Sequence, residues 1–493
     1  MPYESGKIKP SIRAAHIILK KTPHSPESMT SLSIAMFGLG PMGCALSRNL
    51  QSKGIQVHGY DIDEKARGRA ESYGIPILSD IDSLGNFDAV WVMVPDSKVD
   101  DVLSTIEGKL PTGKIIIEGG NSHFKDTERR VRWAHEKGFS YVGTGVSGGE
   151  EGALKGPCIM PGGDWEAYEK VRPILEAIAA KTQNGPCIAY MGPGGAGHFV
   201  KIVHNGVEYA IMQAIGEIYH MLSLSCKPED QIEFFKKMSE SQTAGGFLFD
   251  ITTDILKTMD PANADQPIVS AILDKAGQKG TGKWASQIAY DLGVPVPSIS
   301  AALNARILSS YKDLRTQASA KLQRHACDHP EITLSAHTCA QALTSAMICA
   351  YQQGFHMIYQ GSKEHGYDLP LRDIARIWQG GCIIRSPMLE LAEKTFDKDP
   401  DNQLIFNTET GINLHIEELR KTVTAASMIG IPTPVLSATR DYYDMIRTDV
   451  LPGIQLIQAQ RDYFGAHTYQ RLDREGTFHI GWAEPQRKEE KKS

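Results

Sequence analysis

The sequence predicts an α/β domain built on a parallel sheet, followed by a large all-α domain and a C-terminal tail. Short apolar runs alternate with helical patterns over the first third of the chain, as in a doubly wound parallel sheet. A glycine-rich turn joins the first run to the first helical segment, and after residue 198 apolar residues recur at helical spacing. We therefore expect four segments, at residues 1–30, 31–196, 197–450 and 451–493.

The composition is that of a soluble globular protein. The chain has 493 residues, of which 41% are hydrophobic and 22% are charged, and its net charge is −6. At roughly 150 residues per domain, this length predicts about three domains. The acidic balance disfavours nucleic acid or an anionic membrane as the main partner, and no apolar run is long enough to span a membrane. None of the eight cysteines forms a CxxC pair, so we expect reduced thiols, no metal site and a cytoplasmic location.

The first thirty residues differ from the rest of the chain. This segment contains five basic residues and two acidic ones, and its short apolar stretch from Ala14 to Leu19 is interrupted by His16. This segment is too short and too mixed for a secretory signal. We expect a disordered extension, with an organelle-targeting segment as the alternative.

The first structural element predicts a dinucleotide site. The apolar run Ser33 to Phe37 is followed at once by Gly38-Leu39-Gly40-Pro41-Met42-Gly43, a helical pattern from Cys44 to Lys53, and a second strand, Gln56 to Tyr60. This order is the fingerprint of a Rossmann-type domain. The glycines allow a tight turn and the close approach of a pyrophosphate to the start of the helix.

Two further buried strands are predicted at Asp88 to Val94 and Lys114 to Glu118. Ligands of such sheets bind beyond the carboxyl ends of the strands. The residues just past these ends are therefore candidate cofactor contacts, although each could also be an ordinary turn residue. They are Val94, Pro95, Asp96 and Asn121.

Asp61 bears on which dinucleotide is used. Its carboxylate ends the second strand, where it can accept hydrogen bonds from ribose hydroxyls and would repel a 2′-phosphate. Lys65 and Arg67 are close enough in sequence to supply a compensating charge, and a simple helix cap is the alternative role for Asp61. The position predicts a preference for NAD over NADP.

Glycine-rich loops are predicted between Gly143 and Gly163, including the run Val146-Ser147-Gly148-Gly149. Glycines allow a ligand to approach backbone amides closely, but such loops need not bind anything.

A long helical segment from His198 to about Leu222 carries a polar stripe of four residues at offsets of 0, 3, 4 and 7, which lie on one helix face. They are Lys201, His204, Asn205 and Glu208. One interpretation is a solvated surface. The other is a buried site, in which burial would lower the pKa of the lysine towards that of a base and raise the pKa of the glutamate towards that of an acid.

Basic residues further along the chain are candidates for binding an anion. The segment Gly277 to Trp284 lacks the spacing of a P-loop, but Lys279 and Thr281 could still bind a phosphate. Arg306, Arg385 and the segment Gln460 to His467 are further candidates, although a surface or ion-pair role is the alternative for each.

Together these motifs resemble the 6-phosphogluconate dehydrogenase family from about Ser33 to Trp482. The motifs that carry the resemblance are Gly38 to Gly43, Glu118-Gly119-Gly120-Asn121-Ser122, Gly145-Val146-Ser147-Gly148-Gly149-Glu150, Gly195-Ala196-Gly197-His198-Phe199-Val200-Lys201, Val203-His204-Asn205-Gly206 with Glu208-Tyr209, Gly277 to Trp284, Gly380 to Ser386 and Gln458 to Tyr469.

The resemblance implies oxidative decarboxylation of 6-phosphogluconate to ribulose 5-phosphate in the pentose phosphate pathway, with NAD or NADP as the cofactor. It implies that Lys201 is the general base and Glu208 the acid. It also implies a homodimer in which the tail of one subunit reaches the other. The substrate contacts that it implies are Asn121, Ser147, Gly148, Gly149, His204, Asn205, Tyr209, Lys279, Thr281, Arg306, Arg461 and His467.

One segment departs from the family pattern. NADP-using members typically carry Asn-Arg-Thr where this sequence has Asp61-Ile62-Asp63, which again favours NAD. Two alternatives to the main interpretation are a β-hydroxyacid dehydrogenase of smaller substrates and a catalytically dead dinucleotide-binding protein. β-Hydroxyacid dehydrogenases of smaller substrates are shorter and lack the long tail and the arginines at positions 306 and 461. A catalytically dead protein would not need Lys201, Glu208 and Asn121 together.

Overall fold

The computed structural model describes residues 32–278, 280–322, 334–399, 403–406, 409 and 411–492. The expectation for residues 1–30 and the candidate Lys279 lie outside these ranges.

The N-terminal region is built on one six-stranded sheet, in the order β2-β1-β3-β4-β5-β6. The first five strands pair in parallel, whereas β6 pairs antiparallel to β5. The strands are β1 (Ser33–Phe37), β2 (Gln56–Tyr60), β3 (Ala89–Val92), β4 (Ile115–Glu118), β5 (Ser140–Ser147) and β6 (Cys158–Gly163). This is the predicted Rossmann-type α/β architecture, extended by an antiparallel edge strand.

Helices cover both faces of this sheet, because successive side chains of a strand point to opposite sides. Ile34 and Met36 belong to one apolar cluster, whereas Ala35 and Phe37 belong to another. The helices are α1 (Pro41–Ser52), α2 (Glu64–Ser72), α3 (Asp96–Ile106), α4 (Phe124–Glu136), α5 (Gly149–Lys155) and α6 (Trp165–Ile178). A short hairpin of β7 (Lys181–Thr182) and β8 (Gly185–Pro186) follows.

Two local predictions were wrong. Helix α1 begins at Pro41 and not at Cys44, because proline fits the first turn of a helix, where its missing N–H leaves no hydrogen bond unmade. The segment from Gly143 to Gly163 is regular structure, not loop: its two ends lie in β5 and β6, and α5 lies between them. These strands contain Pro161 and four glycines. Both residue types lower strand propensity, so the local sequence did not indicate strand pairing here.

The C-terminal region is predominantly helical, as predicted. Its helices are α7 (Ala196–Ser225), α8 (Pro228–Ser239), α9 (Phe247–Lys257), α10 (Thr281–Asp291), α11 (Pro297–Ser310), α12 (Lys312–Lys321), α13 (Ala336–His365), α14 (Leu371–Ile377), α15 (Met388–Lys398), α16 (Ile416–Met428) and α17 (Pro434–Ile446). A small hairpin of β9 (Met259–Asp260) and β10 (Asn263–Pro267) interrupts the helices and was not predicted.

Two helices of 30 residues each, α7 and α13, form the centre of this region. They approach closely because α13 has glycines at the contact. A Cβ at Gly354 would overlap Val207, and one at Gly361 would overlap the Phe199 ring. Residues on both helices are almost fully buried in the largest apolar cluster, so α7 is a core helix. None of the helices described is long and apolar enough to cross a membrane.

The chain ends in a small module that we call the tail module. It consists of helix α18 (Pro452–Gly465) and an antiparallel sheet of β11 (Tyr469–Gln470), β12 (Thr477–Ile480) and β13 (Glu489–Lys492). The sequence predicted only a C-terminal tail for residues 451–493, and the pairing of residues 489–492 with β12 was not predicted.

Candidate active site

The glycine turn after β1 has the geometry of a dinucleotide loop. Gly38 has a φ of +98°, and a Cβ there would lie 2.6 Å from the carbonyl oxygen of Met93. A Cβ at Gly43 would overlap the backbone of Gly38. The N-cap of α1, Gly40, offers no side chain to the helix N–H groups. The start of α1 therefore fits an anionic group such as a pyrophosphate.

The Asp61 side chain forms a hydrogen bond to this loop and does not cap the following helix. One carboxylate oxygen accepts a hydrogen bond from the Leu39 N–H at 2.7 Å, and the other accepts one from the Asp63 N–H at 2.9 Å. The cap of α2 is Asp63, whose side chain accepts from the Lys65 N–H. The helix-cap alternative for Asp61 is therefore wrong.

Two arginines near Asp61 donate hydrogen bonds to backbone carbonyl oxygens. Arg67 donates to the carbonyl oxygens of Asp61 and Ile62, and Arg69 donates to that of Leu39. The Ile62 side chain projects into solvent and is 87% exposed. The rim of the adenosine end of the loop thus carries a carboxylate and an apolar side chain.

Strands β3 and β4 are neighbours, and their carboxyl ends lie side by side. A Cβ at Gly120 would lie 2.5 Å from the carbonyl oxygen of Val94, so the two strand ends and their loops are in contact. Asp96, just past Pro95, begins α3. Asn121 is exposed at the same edge of the sheet.

A buried ionic network beneath this edge was not predicted. Arg130 is 2% exposed and donates to Glu118 at 2.8 Å and to Asp96 at 3.0 Å. Glu118 also accepts hydrogen bonds from the hydroxyls of Ser122 and Tyr141. A buried charge pair is tolerated when its hydrogen-bonding groups are satisfied, and here the pair ties the start of α3 to the loop that carries Asn121.

The polar stripe of α7 is buried, so the interpretation as a solvated surface is wrong. Exposure is 6% for Lys201, 0% for His204 and 8% for Asn205, and the Glu208 side chain is 21% exposed. Glycine in β5 makes this possible: a Cβ at Gly145 would lie 2.5 Å from the Lys201 Cβ.

Burial shifts the pKa values of the lysine and the glutamate in opposite directions. Desolvation lowers the pKa of Lys201, although the charge of Glu208 acts in the opposite direction. Desolvation also raises the pKa of Glu208, opposed by the charges of Lys201 and Arg306. The same helix therefore holds an amine that loses its proton more readily than usual and a carboxyl that keeps its proton more readily than usual.

His204 is held as a neutral imidazole. Burial, and then the charge of Lys201, lower its pKa far below the ordinary value. Its Nδ1 lies 3.1 Å from the Asn205 side-chain oxygen, which can only accept, so Nδ1 carries the proton. Its Nε2 then accepts from the Ser147 hydroxyl at 3.1 Å. The oxygen of Ser147 keeps its lone pairs for a ligand, next to Gly148 and Gly149.

Around Tyr209, the residue after Glu208, three of the predicted substrate contacts lie close together. The Arg306 guanidinium lies over the Tyr209 ring, 3.6 Å from its centre. A Cβ at Gly282 would overlap that ring, so the start of α10, with the buried Thr281, packs against Tyr209. Arg385, also considered as an anion-binding residue, lies over the Phe247 ring at 4.1 Å instead.

Arg461 and His467 make their contacts within the tail module. Arg461 donates to Gln458 at 2.9 Å, and the His467 ring packs edge-on against Phe464. Both residues are exposed.

We predict that Gly145→Ala lowers kcat/KM by about 100-fold, since Lys201 is the predicted base and displacing such a group by about 1 Å has that effect. The added methyl group would push against the Lys201 Cβ. The control is Gly216→Ala on α7, the helix that carries Lys201, where nothing lies within 4 Å of the new Cβ and activity should not fall. Steady-state kinetics of the two variants check this, and equal rates would show that Gly145 does not set the position of Lys201.

Comparison with known proteins gives consistent matches over almost the whole described chain. A family model described as the NAD binding domain of 6-phosphogluconate dehydrogenase matches residues 33–192, and one described as the C-terminal domain of 6-phosphogluconate dehydrogenase matches residues 197–482.

Full-length relatives and a solved structure agree with these matches. The chain is 42% identical over 474 residues to an NADP(+)-dependent, decarboxylating 6-phosphogluconate dehydrogenase of Bacillus subtilis, covering 92% of this chain and 100% of that protein. It is also 42% identical over 468 residues to an NAD(+)-dependent one from the same organism, covering 92% and 99%. The solved 6-phosphogluconate dehydrogenase of Plasmodium falciparum matches with a TM-score of 0.84 at 37% identity, covering 91% of this chain and 100% of that one.

Proposed function

The chain belongs to the 6-phosphogluconate dehydrogenase family, and we propose that it performs the decarboxylating oxidation of 6-phosphogluconate with Lys201 and Glu208 as its base and acid. It is an NAD(P)-dependent enzyme. The observation that carries the assignment of roles is the burial of an amine and a carboxyl on one face of α7, with opposite pKa shifts.

The dinucleotide fits the loop after β1. Gly38 to Gly43 and Asp61 would hold its phosphates and adenosine ribose, with Val94, Pro95, Asp96 and Asn121 along the edge of the sheet. When bound, the dinucleotide supplies the acceptor for the hydride that leaves C3 of the substrate. The network of Arg130 and Glu118 supports this edge from below.

Lys201 acts first as a base. Burial lowers the pKa of its ammonium form, so the neutral amine forms more readily. This amine accepts the proton of the 3-hydroxyl group as the hydride departs. The product is a β-keto acid, which loses CO2 because the ketone accepts the electrons of the carboxyl group. The Lys201 ammonium then stabilises the developing enolate oxygen.

Glu208 acts after the loss of CO2. Burial raises its pKa, so its carboxyl keeps a proton more readily than an exposed one, and in the proposed step it donates this proton to the enediol carbon, giving ribulose 5-phosphate. The loss of CO2 needs an acid beside the enolate but not a metal.

The remaining site residues bind and orient the substrate. Asn121, Ser147, Gly148, Gly149, His204 and Asn205 would hold the reacting end of the sugar acid. Tyr209, Lys279, Thr281, Arg306, Arg461 and His467 would hold the remote phosphate and hydroxyls. Such remote contacts align the reacting carbon and lower the barrier to the chemical step.

The tail module would complete the site of a second copy of the chain. Helix α18 exposes Ile454, Leu456, Ile457 and Phe464 to solvent, which is the surface of a helix that lacks its partner in the single chain. Arg461 and His467 lie in the same module. We infer a homodimer in which each active site contains residues of two chains.

The direct test mixes purified protein with 6-phosphogluconate and NAD+ or NADP+. Absorbance at 340 nm should rise as the dinucleotide is reduced, and the amount of CO2 released should equal the amount of reduced dinucleotide. A smaller substrate without a phosphate, 3-hydroxyisobutyrate, should react far more slowly. Turnover of that substrate alone would instead support the β-hydroxyacid dehydrogenase alternative, and no turnover of either would support a binding protein without activity.

A further inference from the structure

We propose that Asp462 is a positioning residue for catalysis, whose buried carboxylate holds the tail module in the shape that presents Arg461 and His467 together to the active site of the partner subunit. The inference rests on the proposed exchange of tails.

The carboxylate of Asp462 accepts four hydrogen bonds from three segments of the module. One oxygen accepts from the Thr468 N–H at 2.9 Å and from the His479 ring at 2.8 Å. The other accepts from the Ile480 N–H at 3.2 Å and from the Trp482 indole N–H at 2.9 Å. One side chain thus joins α18, the turn after it, and β12 with its following residues.

This residue has an unusual place in its helix. Asp462 is 0% exposed, and it is the one buried residue of α18 in the single chain. In the rest of the module, Phe478 is a buried apolar residue, so the apolar core is small. Helix and sheet also meet in a ring contact of Tyr463 with Trp482 and in a hydrogen bond from the Gln458 side chain to the Thr468 carbonyl oxygen. The Asp462 carboxylate, with four hydrogen bonds, makes more of these polar contacts than any other side chain of α18.

The turn that carries His467 requires such support. Ala466 has a φ of +47° and Thr468 a φ of +60°, a left-handed conformation that residues other than glycine seldom adopt. Strained backbone of this kind persists where surrounding contacts enforce it. Asp462 bonds the Thr468 N–H, while its own carbonyl oxygen accepts from the Ala466 N–H at 3.0 Å. His467 lies between these two anchored residues, and Arg461 directly precedes Asp462.

The variant Asp462→Asn keeps the size of the side chain but turns one acceptor oxygen into a donor group. In the full-length enzyme we expect the KM for 6-phosphogluconate to rise at least about 10-fold, with a smaller change in kcat and an unchanged KM for the dinucleotide. The matched control is Asp473→Asn, an exposed carboxylate of the same module paired with Arg471, which should leave both KM values unchanged. A wild-type KM for the substrate in Asp462→Asn would overturn the proposal.

Mixed dimers separate a positioning role from general destabilisation. A dimer of one Lys201→Met subunit and one Asp462→Asn subunit contains one site with an intact lysine and, if tails exchange, an intact tail from the other chain. That site should show the wild-type KM for 6-phosphogluconate. A mixed dimer with the raised KM of Asp462→Asn would show that Asp462 does not act on the partner's site.

If Asp462→Asn does not fold, Trp482→Phe removes one of the four donors and should raise the same KM by a smaller factor. Failure of the proposed function itself looks different, because the wild-type enzyme would then not oxidise 6-phosphogluconate at all.

Discussion

Replacing Lys201 with methionine is expected to lower kcat by about 10²–10⁴-fold, the range attributed to a positioned acid or base, while the protein stays folded. Methionine is apolar and of similar length, so it fits the site, where Lys201 is 6% exposed, and introduces no unpaired charge. The variant loses both the acceptor of the 3-hydroxyl proton and the cation that stabilises the enolate. Binding of the dinucleotide should be unchanged, because the glycine loop after β1 does not depend on this side chain.

The measurement is steady-state turnover of 6-phosphogluconate, together with a thermal melt and a titration of the dinucleotide. The control is Lys237→Met, which changes a lysine whose side chain is 71% exposed on the surface of α8 and should leave kcat unchanged. Undiminished turnover of the Lys201 variant would remove the base from the mechanism.

The pH dependence of the wild-type enzyme follows from the same geometry. Only the neutral amine of Lys201 can accept a proton, so kcat/KM should fall as the pH drops through the lowered pKa of this residue. Only the protonated form of Glu208 can donate, and its pKa is raised, so activity should also fall as the pH rises. A bell-shaped profile is the expected result, and activity that is independent of pH would contradict both assignments.

The second large effect concerns the choice of cofactor. We expect a higher kcat/KM with NAD+ than with NADP+, and we expect the double variant Asp61→Asn with Ile62→Arg to shift the ratio towards NADP+ by about 100-fold or more. A carboxylate about 4 Å from a phosphate charge, at an effective dielectric constant of about 20, raises the energy by about 4 kcal/mol. Asparagine removes this repulsion, and its side-chain oxygen can still accept from the Leu39 N–H.

Asp230→Asn is the matched control for this variant. It makes the same chemical change at an exposed carboxylate in the first turn of α8, outside the Asp61-Ile62-Asp63 segment, and should leave the cofactor ratio unchanged. The measurement is kcat/KM for each dinucleotide at saturating 6-phosphogluconate. A wild-type preference for NADP+ would show that Lys65 or Arg67 binds the 2′-phosphate, although Arg67 is bonded to backbone carbonyls in this structure.

The dinucleotide loop could be predicted because its parts are neighbours in sequence. A strand, a glycine turn, a helix start and an acid at the end of the next strand all lie between residues 33 and 61. The details that were missed there are local as well: the helix starts at Pro41, and Asp61 bonds the Leu39 N–H.

The ionic network of Arg130 and the anchoring role of Asp462 could not be predicted in this way. Arg130 meets Asp96 across 34 positions of the chain, and Asp462 meets Trp482 across 20. Neither pair has a periodic spacing or a sequence motif, since each depends on how separate elements pack together.

By itself, the amino-acid sequence determined the α/β order of the first third, the helical character of the remainder, and the presence of Lys201, His204, Asn205 and Glu208 on one helix face. Helical periodicity is a local property, and it could not distinguish a solvated face from a buried one. Tertiary structure decided this, because glycine at position 145 brings β5 against α7 and α13 packs on the same helix. Exclusion of water, and with it the opposite pKa shifts of amine and carboxyl, arises only when these distant segments meet.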